Sequence, residues 1–208
     1  KVLASIISGT PLAGVDMLGL VAANSSQLTG GAFLTLMMGI SLMAMTVFLY
    51  PIIRKDSEEL ALGMLLFRGA LEGTGYLLSA LGISTLVVLG SEYVATGASS
   101  AALQSMGNIL YQFLGLTGAF TSIVFLVGAT CLYVSFYRTR LIPRWLTVWG
   151  LIGVVPYMAY ALLHIFHVDT GIGIYLQVLL GIQELVMGLW LVIKGFNQDA
   201  VKGLDEAQ

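Results

Sequence analysis

Long apolar stretches, broken at intervals by short polar or Pro/Gly-containing segments, dominate the chain. A hydrocarbon core of about 30 Å takes about 20 helical residues to cross, at about 1.5 Å each. Five stretches are long enough. They run from about Leu28 to Ile53, from Glu58 past Val88, from Gln104 to about Tyr137, from Trp145 to Phe166, and from Gly171 to Phe196. Arg54-Lys55-Asp56, the small residues Gly97 to Ser100, the segment Arg138 to Arg144, and Asp169-Thr170-Gly171 separate them. The pattern predicts an all-α, polytopic transmembrane helix bundle, with residues 1–208 as one transmembrane domain. The second and third spans are longer than the core requires, since Glu58 to Val94 would be roughly 55 Å of continuous helix. They are expected to protrude on one side, joined by the loop at Gly97 to Ser100, or else to tilt strongly.

Residues 1–27 read differently from the five full spans of 28–196 and from the tail at 197–208. Val2 to Ser8 is apolar but too short to cross a bilayer, and Thr10-Pro11 breaks it. A short amphipathic stretch from Leu12 to Ala23 follows, marked by Asp16 and Asn24. The expectation is that Val2 to Ser8 ends a first span whose beginning precedes Lys1, giving six spans with the first incomplete. The alternative is an intact, short re-entrant start.

Composition supports lipid as the solvent. The chain is 58% hydrophobic and 10% charged, against about 25% charged in soluble domains, and one aqueous core could not hide so much apolar surface. The net charge of −2, with no basic run, gives no reason to expect a nucleic-acid partner. Cys131 is the single cysteine, falls within a span and reads as a small buried apolar residue. Basic residues set the orientation. Arg54 and Lys55, then Arg138, Arg140 and Arg144, then Lys194 and Lys202 follow alternate spans, while the connections at Asp16, Glu92 and Asp169 carry no Lys or Arg. By the positive-inside rule this places Arg54, Arg140 and the C-terminal tail in the cytoplasm.

Arg68 and Glu72 lie at i and i+4, so they share a helix face. Arg68 is roughly a dozen residues beyond Lys55, about 18 Å along the axis and near mid-membrane. A charge at that depth costs about 2.5–3.5 kcal/mol on insertion scales, so it must face the bundle and find partners. Glu184, flanked by Gln183, lies about 15 Å before Lys194 at matching depth. An Arg68–Glu184 or Arg68–Glu72 contact in the interior is predicted. Its functional reading is a proton- or ligand-handling site. Its structural reading is an ion-paired clasp fixing helix register.

A second polar set, Tyr76, Asn108, Tyr111, Gln112 and Gln177, falls at similar depth towards the outer side. It would line an outer cavity if the residues converge, or serve as interhelical hydrogen bonds worth ~0.6 kcal/mol each. His164 and His167, at i and i+3, have the spacing of a shared metal site. No further histidine or cysteine joins them and Asp169 is the only nearby carboxylate, so interfacial histidines are the simpler reading and no metal is expected. Trp145, Trp149 and Trp190 read as belt anchors. With Arg140 and Arg144, the first two form a cytoplasmic interface anchor, or a docking surface for a partner. Pro143 suits the first turn of the helix that follows. Gly39, Ser41, Gly69, Gly73, Gly115, Gly118 and Gly128 have the small-xxx-small character of close helix crossings. No nucleophile elbow, phosphate loop, HExxH motif or paired cysteines occurs, so no catalytic residue is assigned.

Several strings, in order, resemble the domain-of-unknown-function family 4386 of small bacterial multi-pass membrane proteins. They are Leu49-Tyr50-Pro51, Ala61-Leu62-Gly63 leading to Arg68 and Glu72-Gly73, Arg140-Leu141-Ile142-Pro143-Arg144-Trp145-Leu146 with Trp149-Gly150-Leu151-Ile152-Gly153, and Gln183-Glu184 leading to Trp190 through Asn197. The Arg-Leu-x-Pro-Arg-Trp-Leu run is the most specific of them. The resemblance covers about Asn24 to Asn197, departs at Thr139 and Thr147 where serines are expected, and implies a complete first span and a bacterial inner membrane. It implies no activity. Three functions stay open: a non-enzymatic accessory subunit or small-ligand or lipid-binding module, a transporter or proton-coupled carrier using Arg68, Glu72 and Glu184, and an intramembrane lipid-modifying enzyme with Glu72 or His164 as acid/base. No cofactor is predicted, with room left for a bound lipid or pigment. The partners expected are the lipid bilayer and other membrane subunits.

Overall fold

The computed structural model describes residues 16–166, 168 and 171–206. Among them the helices are α1 (Met17–Ala23), α2 (Ser25–Ile53), α3 (Glu58–Ala95), α4 (Ala101–Thr139), α5 (Arg144–Ile165), α6 (Gly173–Lys194) and α7 (Gln198–Glu206). Helices α2 to α6 are long and apolar enough to cross a membrane, which makes this a multi-pass membrane protein. The predicted first span, with Val2 to Ser8 and Thr10-Pro11, lies outside the described residues. Helices α3 and α4 run 38 and 39 residues, as the long apolar stretches predict. Pro143 stands at the N-cap of α5 rather than inside its first turn, a shift of one position.

Local chemistry explains the helix ends. The Asp16 carboxylate accepts from Gly19 N at 3.1 Å to start α1, and the Ser57 hydroxyl oxygen accepts from Leu60 N at 3.2 Å to start α3. Gly97 leaves α3 with φ +83°, a conformation glycine adopts without steric penalty. Helix α3 is not uniform. It is π-helical over Met64–Leu71, between α-helical stretches at Glu58–Gly63 and Glu72–Ala95.

The chain forms two compact units. One takes in the described residues up to Ser41 together with Gly73–Thr121. Its core gathers Leu18, Val21, Leu28, Ile83, Leu86 and Leu114. The amphipathic α1 is drawn in here because α3 and α4 present glycines to it. A Cβ at Gly90 would meet the Leu18 carbonyl oxygen at 3.1 Å, and one at Gly107 would meet the Leu18 side chain at 2.9 Å.

The other unit comprises Leu42–Glu72 and Ser122–Gln208. Tyr133 and Phe136 are its largest fully buried side chains, packed with Ile53, Met64, Leu126 and Leu146. The loop between α4 and α5 dips into this core, where Leu141 and Ile142 are buried and Asn197 N–H donates to the Leu141 carbonyl at 2.9 Å. That bond turns the chain after α6, and α7 then lays Ala200, Val201 and Leu204 against the same core. The predicted C-terminal tail is therefore an amphipathic helix over most of its length.

Large apolar side chains also face outward. Phe48 is 77% and Val192 85% exposed. In water such a surface would aggregate; hydrocarbon tolerates it.

Gly128 brings α4 onto α3. A Cβ there would collide with the backbone nitrogen of Arg68 and lie 2.9 Å from its Cα. Gly128→Ala is expected to destabilise the fold by about 1–3 kcal/mol through overpacking. It should lower the melting temperature in detergent by several degrees. Gly188→Ala, whose Cβ would meet nothing within 4 Å, serves as the neutral comparison.

Candidate functional site: a buried charge cluster and a basic cleft

The second unit brings Arg68, Glu72 and Glu184 together. Arg68 is 5% exposed and Glu72 2%. Arg68 Nη2 lies 2.5 Å from Glu184 Oε2, and Nη1 lies 3.5 Å from Glu72 Oε2. The Phe125 ring closes over the guanidinium, 4.6 Å from its centroid to Cζ. The Tyr133 hydroxyl donates to Glu184 Oε1, with Gln183 Oε1 at 3.0 Å as a second acceptor. Gln183 in turn donates through Nε2 to the Leu146 carbonyl at 3.0 Å. One polar network thus joins α3, α4, α5 and α6. Its depth follows from the sequence: Arg68 is ten residues past Glu58, and Glu184 ten before Lys194, each about 15 Å from a helix end. The predicted residues Arg68, Glu72, Gln183 and Glu184 are all brought together, and both anticipated ion pairs form at once.

Three backbone features make room for it. Arg68 sits in the π-helical turn, an uncommon geometry often found at functional sites. Gly69 faces Thr46 closely enough that a Cβ would clash with its hydroxyl, so α2 crosses α3 in contact. Gly150 admits the Tyr133 ring and the Gln183 amide, which a Cβ would meet at 2.8 and 3.0 Å. Tyr133, Phe125 and Gly150 escape the sequence reading. A tyrosine at mid-span depth on α4 is the one signal that could have pointed to them.

The residues named for an outer cavity differ in burial. Asn108 and Gln112 lie exposed along α4, while Tyr111 turns partly inward onto the first unit's core and Tyr76 is half-buried. At i, i+3 and i+4 the three α4 residues share one helix face, and only Tyr111 reaches partly into the core. A Cβ at Gly39 would meet Tyr76 Cβ at 3.0 Å, which marks a close crossing, whereas one at Gly118 would meet open space. Gln177 bonds back to Gly173 of its own helix at 3.3 Å. His164 packs beside Tyr160, with ring centroids 5.9 Å apart. His167 and Asp169 lie outside the described residues. Among the described residues no group of three His, Cys, Asp or Glu side chains could hold a metal.

The tryptophans do more than mark an interface. Trp145 stacks on Trp149 at 6.3 Å and meets Trp190 edge-on at 6.4 Å, and Trp149 Nε1 donates to the Leu179 carbonyl at 3.1 Å. Beside them an open cleft of about 640 Å³ lies between the α4–α5 loop and the end of α6, with Arg140, Arg144, Trp190, Lys194 and Phe196 in its lining. Arg144 Nε donates to the Tyr137 carbonyl at 3.2 Å, and its guanidinium covers the Tyr137 ring at 4.7 Å.

Tyr133→Phe removes the neutral donor to Glu184 while keeping the ring. It is expected to cost about 1.5–3 kcal/mol, the range for a hydrogen bond to a charged group, read as a lower unfolding midpoint in detergent with helix content unchanged.

No curated protein and no solved structure matches the chain. A family profile described as a domain of unknown function (DUF4386) matches residues 2–195, a span that contains every residue of the charge cluster, and the chain belongs to that family.

Proposed function

We propose that this protein is a non-enzymatic module of the bacterial inner membrane that binds a lipid or another small ligand, with Arg54, Arg140 and the C-terminal end on the cytoplasmic side. One observation carries the reading: the ionisable groups of the bundle interior are engaged with each other. Arg68 lies between Glu184 and Glu72, and Tyr133 and Gln183 complete the network. An acid/base catalyst needs a group directed at a substrate; here the carboxylates are directed at a guanidinium. Such a cluster fixes how helices meet. Breaking a buried pair by removing one partner typically costs 3–5 kcal/mol, on the order of a whole domain's stability margin. The basic ends of α2, α4 and α6 support the orientation.

A carrier is the second reading, favoured by the surplus of two carboxylates over one guanidinium. A surplus charge in hydrocarbon asks for a proton or a cation as its counter-charge.

Glu72→Gln and Glu184→Gln proteins separate the two. The clasp reading expects both to lose stability in detergent, Glu184→Gln by about 3–5 kcal/mol, and expects wild-type proteoliposomes to pass protons no faster than empty ones. A wild-type proton flux that either substitution abolishes, in a protein that still folds, would replace the clasp with the carrier. For orientation, reporter tags in the Arg138 to Arg144 segment and after Glu206 are expected on the same, cytoplasmic side; tags reporting opposite sides would refute it.

A further inference from the structure

We infer that the cleft between the α4–α5 loop and the end of α6 binds the phosphate headgroup of an anionic phospholipid. This rests on the non-enzymatic binding reading above and names its ligand and its site.

The charges argue for an anion. Arg140, Arg144 and Lys194 line one cleft of about 640 Å³, and no carboxylate shares the lining. Three other cations of the same unit have carboxylate partners: Arg68 has Glu184, Arg54 has Glu58 at 3.7 Å, and Arg138 has Asp56 at 3.3 Å. Arg140 and Lys194 are exposed and have no carboxylate partner among the described residues. Arg144 is held against Tyr137 by one hydrogen bond and by ring contact, so its planar fork is ordered before a ligand arrives.

Position argues for a lipid. The cleft lies where α4 and α6 end and α5 begins, the level of the headgroups for helices that cross a bilayer. Trp190 and Phe196 give it an apolar wall, and Trp190 belongs to the tryptophan cluster, as suits the seam between glycerol and acyl chain. Basic pockets between transmembrane helices on the cytoplasmic side are known sites for such headgroups. The backbone adds to this. Arg140 ends α4 with φ +57°, a left-handed conformation that a non-glycine residue holds at some steric expense. A glycine would sit there more easily, yet the position carries a cation.

The test uses the full chain, purified in detergent, titrated with short-chain phosphatidylglycerol and with phosphatidylcholine, and read by native mass spectrometry and thermal shift. Wild-type protein is expected to prefer phosphatidylglycerol. Lys194→Gln and Arg140→Gly should each weaken that preference about five-fold, the effect of one cation near an anionic surface. Arg140→Gly keeps the left-handed turn, so its loss reports the charge and not the fold. Arg54→Gln, outside the cleft, should leave the preference intact. The inference is overturned by equal affinity for the two lipids. It is also overturned by an Arg54→Gln effect as large as that of Lys194→Gln, which would mean diffuse attraction. Inorganic phosphate stabilising as well as the lipid does the same, by making the ligand a free anion. Mass spectra of the recovered lipid distinguish the two levels of the argument. Chemical conversion by the wild type would overturn the non-enzymatic reading, while loss of binding in the two cleft variants would still support the cleft as the site.

Discussion

A guanidinium within hydrocarbon must bring its counter-charges with it, and the second unit is arranged around that demand. Arg68 stays protonated at any accessible pH, so burial cannot neutralise it. What can change is its surroundings. Glu184 approaches from α6, Glu72 from the next turn of α3, and Phe125 from α4. Each contact ties a different element to one point. Close packing follows: α4 lies against the α3 backbone at Gly128, and Thr46 of α2 fills the space beside Gly69. Between helices bathed in lipid there is no aqueous hydrophobic effect to drive association, so tight packing and polar contacts of this kind have to supply it.

The network also shows why the surrounding residues are small. Tyr133 has to cross to α6 while Gln183 reaches back to the Leu146 carbonyl, and both pass Gly150. A side chain there would separate the donors from their acceptors. The polar contacts and the glycines are one device, since charge matching sets which groups meet and the missing Cβ atoms set how near the backbones come.

Much of this was legible in the residues themselves. Span positions follow from the length of apolar runs, so Ile53, Glu58 and Trp145 fall at or within a residue of a helix end, and Phe196 falls two residues past one. The Arg68–Glu72–Glu184 association follows from depth counting plus the penalty on an unpaired charge, which leaves the three few other places to go. Other features have no such signature. The π-helical turn depends on how neighbouring helices pack, which no local periodicity encodes. Asn108, Tyr111 and Gln112 share a depth and a helix face, yet neither tells exposed from half-buried. The left-handed Arg140 carries no glycine or asparagine to announce it, and the cleft beside it is lined by residues far apart in the chain, among them Leu141 and Asn197, which bond to each other.

The wide turn at Met64–Leu71 has a bearing on how the chain tolerates change in length. A π-helical turn holds a residue more than an α-helical turn would, so dropping one residue between Leu65 and Phe67 would let α3 close into a regular helix. Because the wide turn absorbs that residue, the α-helical stretches on either side would keep nearly their present phase. The same deletion in a regular stretch would turn one side by about 100° relative to the other, and buried residues such as Ile83 and Leu86 would leave their packing. The wide turn is thus the place where α3 would bear the loss of one residue most easily.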